Sequence, residues 1–150
     1  MKILMITLLL FIYGINTFEY SNETESRGID FKDLLISEAL NTAKIEGKDV
    51  YISFFTTWCA SCQFMKLNIY KKRDVGEVFN NRFISLQING ERGEGIEAAK
   101  KYNVEMFPTL LILNAETGEI KHKATGFHDA SALIIFAKSV DEDNTLSGSN

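Results

Sequence analysis

Val50-Tyr51-Ile52-Ser53-Phe54-Phe55, followed after two threonines by Trp58-Cys59-Ala60-Ser61-Cys62, is the stretch that decides the fold. The first part is an unbroken, mostly apolar β-type run, the mark of a strand buried on both sheet faces. The second holds the only two cysteines of the chain, three positions apart, and a helix-like segment from Gln63 to Lys72 follows. A C-x-x-C between a strand and a helix is a redox pattern. Two thiols one helical turn apart can close a disulfide without large backbone movement. The first sits at the helix N-terminus, where unpaired N–H groups and the helix dipole favour a thiolate. The thiolate is the attacking species in disulfide exchange, so Cys59 is the candidate nucleophile and Cys62 the resolving thiol.

Two other readings of the pair remain on the table. C-x-x-C is also half of a structural zinc site, but such a site takes four ligands. The remaining candidates, His122 and His128, lie far along the chain. A structural staple is the second alternative, because secreted chains use cysteine pairs in that way. So short a loop removes little entropy from the unfolded chain and staples poorly. Redox activity is the reading the residues favour.

An independent signal lies downstream. The single proline, Pro108, stands in Met106-Phe107-Pro108-Thr109, immediately before the apolar run Thr109 to Leu113. Proline is tolerated at the first residue of a strand, having no N–H to give to the ladder. It is also where a cis bond can be held by tertiary context, with an ordinary trans proline as the plainer reading.

Taken together, Trp58-Cys59-Ala60-Ser61-Cys62, Phe107-Pro108-Thr109 and Gly126 before a closing helix make the chain resemble a thioredoxin-fold protein from Phe31 to Val140. The resemblance implies an α/β thioredoxin fold: a central mixed β-sheet flanked by helices on both faces. It implies a cis Phe107–Pro108 peptide against the disulfide. Substrate binding would fall to Trp58, Phe107 and Pro108, with an extended segment pairing to the backbone of Phe107 as an added strand. Within the superfamily the chain is similar to small exported bacterial members and to the C-terminal domain of transmembrane thiol:disulfide interchange reductases. The segment Asn89 to Gly95, leading into Ile96 to Tyr102, supports that subgroup.

Three departures from the family pattern bear on chemistry. The family's buried acid, six positions before the first cysteine, is replaced by Ser53, which cannot serve as a base at neutral pH. The dipeptide between the cysteines, Ala60-Ser61, lacks the Gly-Pro of cytosolic thioredoxins. It also lacks the histidine of strong oxidants, so the Cys59 thiolate has one cationic stabiliser fewer. The balance leans toward reductase work.

The ends of the chain speak to location. Met1-Lys2 is a short positive start, and Ile3 to Ile15 is almost continuously apolar. That length suits a signal peptide over residues 1–17 and falls short of the ~20 residues of a spanning helix. An uncleaved anchor reaching Phe18 or Tyr20 is the alternative. Residues 18–28 read as a polar linker, 29–140 as the thioredoxin-like domain and 141–150 as a polar tail. Export to the periplasm or another extracytoplasmic space fits disulfide chemistry. The net charge of −4 and the lack of a basic cluster at either end argue against nucleic acid.

Within the domain, Asp30 is expected to cap a helix from Phe31 to Glu46, with Phe31, Leu34, Leu35, Ala39 and Ala43 on one face and Gly47 as its stop. A short helix from Asp74 to Asn80, a strand from Phe83 to Ile88 and a helix from Glu94 to Tyr102 follow. The strands Thr109–Leu113 and Glu119–Thr125 precede a last helix, Ala130 to Val140, capped by Asp129. Gly90, Gly93 and Gly95 read as a flexible connection, because the Lys-Ser/Thr of a phosphate loop is missing. His122 and His128 read as surface residues.

The function expected is thiol:disulfide exchange through Cys59 and Cys62, with no metal or diffusible cofactor. Its partners would be protein disulfides or thiols and a redox partner, such as a membrane electron carrier; a monomer is expected. The competing class is a redox-inert binding or chaperone-like module using Phe107 and the apolar surface around Trp58.

Overall fold

The apolar run Asp49–Phe55 becomes β1, and its unbroken burial has a topological cause: it is paired on both edges and covered on both faces. The computed structural model describes residues 28–140. The expected signal peptide, the tail and all of the linker but Gly28 lie outside the described residues.

Helix α1 (Ile36–Glu46) leads into β1, and a helical segment carrying Cys62 follows it: α2 (Ala60–Phe64), continued by a π-helical turn, Met65–Ile69. Next come α3 (Arg73–Arg82), β2 (Phe83–Asn89), α4 (Gly95–Lys101), β3 (Thr109–Leu113), β4 (Ile120–Thr125) and α5 (Ala130–Lys138). The four strands form one mixed sheet in the order β2-β1-β3-β4. β1 runs parallel to β2, with Ile52 opposite Leu86, and antiparallel to β3, with Ile52 opposite Leu111. β3 and β4 are antiparallel. This is a thioredoxin fold of the α/β class.

Strand alternation divides the interior into two cores. Val50, Ile52, Phe54, Leu86, Leu111 and Leu113 face α1 and α4, where Ala39, Ala43, Ala98 and Tyr102 close the layer. Tyr51, Leu110 and Ile112 face the other way, against Met65, Ile69 and Tyr70 of the cysteine-bearing segment, Phe79 of α3 and Leu133 of α5. The segment that carries the cysteines therefore rests on the second face.

The first helix begins later than its sequence suggests. Phe31 is extended and bridges Ser85 at the edge of β2, and the Lys32 N–H donates to the Ser85 carbonyl at 2.8 Å. Carboxylates instead accept from two amides at the start of α1: Glu38 from Leu35 N–H at 2.8 Å and Glu94 from Ile36 N–H at 3.2 Å. Phe31 packs into the second core and Leu35 is exposed, so the apparent helical stripe mixed residues of different destinations.

Gly28, at the end of the stretch read as linker, is buried, and its carbonyl accepts from Asn80 Nδ2 at 3.0 Å. Its φ of 107° and the Tyr70–Lys71 backbone beside it leave no room for a Cβ. Asp129 caps α5 as expected, accepting from the Ala132 N–H at 2.8 Å.

Candidate active site

Cys59 occupies the N-cap of α2 in extended conformation, as a chain leaving a strand to start a helix requires. Its Sγ accepts from the Cys62 N–H at 3.2 Å and lies 3.4 Å from the Ser61 hydroxyl. Cys59 and Cys62 are joined as a disulfide, their Cα atoms 5.3 Å apart. A helix-terminal N–H aimed at Sγ stabilises negative charge on Cys59 and not on Cys62. Exposure does not separate the two in this oxidised form: they are 4% and 5% exposed.

Beneath this helix lies a cluster of hydroxyls. Ser53 Oγ and Tyr70 Oη are 2.8 Å apart, and Tyr51 Oη donates to Tyr70 Oη at 3.4 Å. All three residues are buried. Burial pushes the Tyr51 hydroxyl well above its ordinary pKa, and the neighbouring Tyr70 pushes it further. Burial also raises Tyr70, partly offset by the Ser53 hydrogen bond. Where the resemblance leads one to expect a buried acid, the chain has neutral hydroxyls that satisfy one another.

The second motif is held by backbone contacts. The Phe107–Pro108 peptide is cis, Thr109 Oγ1 donates to the Met106 carbonyl at 2.7 Å, and Gly126 N–H donates to the Pro108 carbonyl at 2.8 Å. Phe107 meets Trp58 edge to face, with ring centroids 6.1 Å apart. Trp58 is 68% exposed, and its indole N–H is shared between both carboxylate oxygens of Glu91, each at 3.1 Å. Trp58, Phe107 and Pro108 thus belong to one neighbourhood, which the structure extends by Glu91.

The glycine-rich connection is tighter than its composition suggests. Gly90 N–H donates to the Phe55 carbonyl at 2.9 Å, and a Cβ on Gly90 would stand 2.6 Å from Phe107 Cε1 and Cζ. The loop is a packed bracket against Phe107. On another side, exposed Phe64 of α2 meets exposed Phe127 edge to face at 5.7 Å.

Sequence reasoning missed Glu91, Tyr70 and Phe127. Nothing local marks Glu91, which lies 33 positions from its partner Trp58. Phe64, whose type and place after the cysteines mark it as core or active-site wall, is exposed on the wall side. The two histidines are half-buried, contrary to the surface expectation: His128 Nδ1 lies 2.9 Å from the Gly126 carbonyl oxygen, and the His122 ring packs against Phe136. Among the described residues no group of three or more His, Cys, Asp or Glu is placed to hold a metal, and no helix is long and apolar enough to cross a membrane.

Comparison with known proteins agrees with this geometry. Residues 36–140 match the thioredoxin-like domain family. A thiol:disulfide interchange protein DsbD of Pseudomonas fluorescens is 26% identical over 98 residues, 64% of this chain and 17% of the relative. The chain therefore spans about one sixth of that protein's length. The solution structure of a disulphide-isomerase candidate from Bacteroides thetaiotaomicron superposes with a TM-score of 0.69 at 38% identity, covering 78% of this chain and 96% of the other. The oxidised DsbD C-terminal domain of Neisseria meningitidis shares the fold, with a TM-score of 0.59 at 20% identity over 74% of this chain and 97% of that one. With a disulfide closed across Cys59-Ala60-Ser61-Cys62 at the end of β1, the chain belongs to the thioredoxin-like domain family.

Proposed function

We propose that the protein is an extracytoplasmic thiol:disulfide oxidoreductase that works mainly as a reductase. The observation that carries the reading is the Cys62 N–H directed at Cys59 Sγ, which favours a thiolate at Cys59 alone. In the reduced protein, the Cys59 thiolate attacks one sulfur of a substrate disulfide. A Cys59–substrate disulfide forms, and the other substrate sulfur leaves as a thiolate that takes up a proton. Cys62, once deprotonated, attacks Cys59 Sγ; the Cys59–Cys62 disulfide closes and the second substrate thiol departs. Two electrons and two protons pass from the cysteine pair to the substrate, and a dithiol donor protein restores the starting state.

Ser61 supports the reducing direction. It offers Cys59 a neutral hydroxyl at 3.4 Å and no cation, so the thiolate is less stabilised than in a strong oxidant. Trp58, Phe107 and Pro108 would form the substrate surface, with the backbone of Phe107 pairing to an extended segment. Export rests on the leader-like residues 1–17 and on the chemistry of disulfides outside the cytosol.

Reduction of insulin disulfides by the purified protein tests the reading, with Cys59→Ser as the comparison. Loss of turnover in Cys59→Ser is expected; equal turnover, or none in the wild type, would favour the redox-inert binding module. A reduction potential near −270 mV marks a thioredoxin-like reductase and one near −120 mV a strong oxidant, on the scale of about 150 mV that separates the two. Cys62→Ser should trap clients as mixed disulfides sensitive to reducing agents, because attack survives and resolution does not.

A further inference from the structure

We propose that Glu91 and Trp58 form a subsite for a cationic side chain, arginine or lysine, that flanks the reacting cysteine of the substrate; the proposal rests on the oxidoreductase reading above. Glu91 is held at the edge of an exposed indole next to the disulfide motif. Its two carboxylate oxygens share the one indole N–H, each at 3.1 Å. An ionised carboxylate offers about four acceptor positions, so most of its capacity remains open. Among the described residues, the only side chain that donates to the Glu91 carboxylate is Trp58, and no cation pairs with it. Nearby acids are otherwise engaged: Glu94 accepts from the Ile36 N–H, and Glu97 pairs with Lys100 at 2.9 Å.

The position is built rather than incidental. Asn89 Oδ1 accepts from the Glu91 N–H at 2.9 Å, Gly90 N–H is tied to the Phe55 carbonyl, and Gly90 lies flush against Phe107. One short loop thus fixes both aromatic neighbours of the disulfide motif and leaves a carboxylate beside the more exposed of them. An indole with a carboxylate at its edge suits a guanidinium or ammonium: the cation can sit against the ring and hydrogen-bond the oxygens. Arginine suits it better than lysine, since a planar guanidinium can stack and donate together.

The test uses three peptides, each with one intramolecular disulfide, identical except for arginine, alanine or glutamate beside the attacked cysteine. The readout is the second-order rate constant of their reduction by the pre-reduced protein in a single turnover. The wild type should favour the arginine peptide over the alanine peptide by about three- to tenfold, the scale of an exposed ion pair aided by a ring contact. Glutamate should be slower than alanine. Glu91→Gln keeps an acceptor for the indole, so emission from Trp58, the only tryptophan, should stay as in the wild type while the arginine-to-alanine ratio falls to about one. Glu91→Lys should reverse the order of the arginine and glutamate peptides. A wild-type ratio near one, or a ratio unchanged in Glu91→Gln with Trp58 emission unaltered, overturns the subsite while leaving the oxidoreductase reading intact. Failure of the wild type to reduce any of the three peptides overturns both.

Discussion

The two faces of the sheet are built to different rules. The face under α1 and α4 is closed by aliphatic and small side chains, Val50, Ile52, Leu111, Leu113, Ala39 and Ala43, with Phe54 among them. The face under the cysteine-bearing segment holds aromatic rings with a hydroxyl cluster, Tyr51, Tyr70 and Ser53, set among Phe79, Phe83 and Met65. Apolar burial needs only volume and shape, so the first face serves stability and tolerates conservative change. Buried hydroxyls need partners with correct geometry, so the second face is specified more sharply and is costlier to disturb by one atom. The redox segment is seated on the sharper face.

The largest effect should come from breaking the aliphatic face. Leu111→Ala, opposite Ile52 in the sheet centre, should cost about 2–5 kcal/mol in denaturant unfolding through lost burial and a residual cavity. If it also altered the reduction potential of Cys59–Cys62, the two faces would not be independent.

Ser53→Asp probes the other face and should cost about 2–3 kcal/mol at neutral pH, because a carboxylate is buried where a hydroxyl sat. The Tyr70 hydroxyl can donate to it, which keeps the cost below that of an unpartnered charge. A new titration in the pH–rate profile of disulfide reduction is expected. An unchanged midpoint and profile would mean that position 53 faces water.

Tyr70→Phe should cost about 1–2 kcal/mol by leaving the Ser53 and Tyr51 hydroxyls short of a partner. The double variant Tyr70→Phe with Ser53→Ala should recover part of that loss, which a thermal unfolding cycle would read. Full additivity would show that the hydroxyls do not act as a cluster.

The smallest effect is confined to alkaline solution. Tyr51 and Tyr70 have pKa values raised above the ordinary 10.0, so the folded chain keeps these protons while the unfolded chain gives them up. The stability tied to them is whole below pH 10 and is lost as pH rises from there toward the folded values. Tyr51→Phe should flatten that alkaline fall, read as unfolding midpoints across pH 9 to 11, a range of about one unit either side of the ordinary tyrosine value. A fall as steep as the wild type's would assign it to other groups.

Much of this was legible in residues alone. The strand β1, the cysteine pair, the strand β3 after Pro108 and the Asp129 cap follow from apolar runs and local capping chemistry. Phe31 and Leu34 fit a helical stripe, but pairing of Phe31 with Ser85 outweighs helix propensity there, so α1 starts later than the stripe implies. The π-helical turn Met65–Ile69 has no local signal, and the packing of Gly90 on Phe107 depends on a residue seventeen positions away.

The sequence by itself determined where the cysteine pair stands and what flanks it, because thiol spacing, an unbroken apolar run and helix entry are local properties of Val50 to Cys62. Only the tertiary structure decided what surrounds that pair in space. The partnership of Trp58 with Glu91, of Phe64 with Phe127 and of Ser53 with Tyr70 joins residues from separate elements. Such contacts come from the way the strands are ordered and the helices docked, which no window of sequence contains.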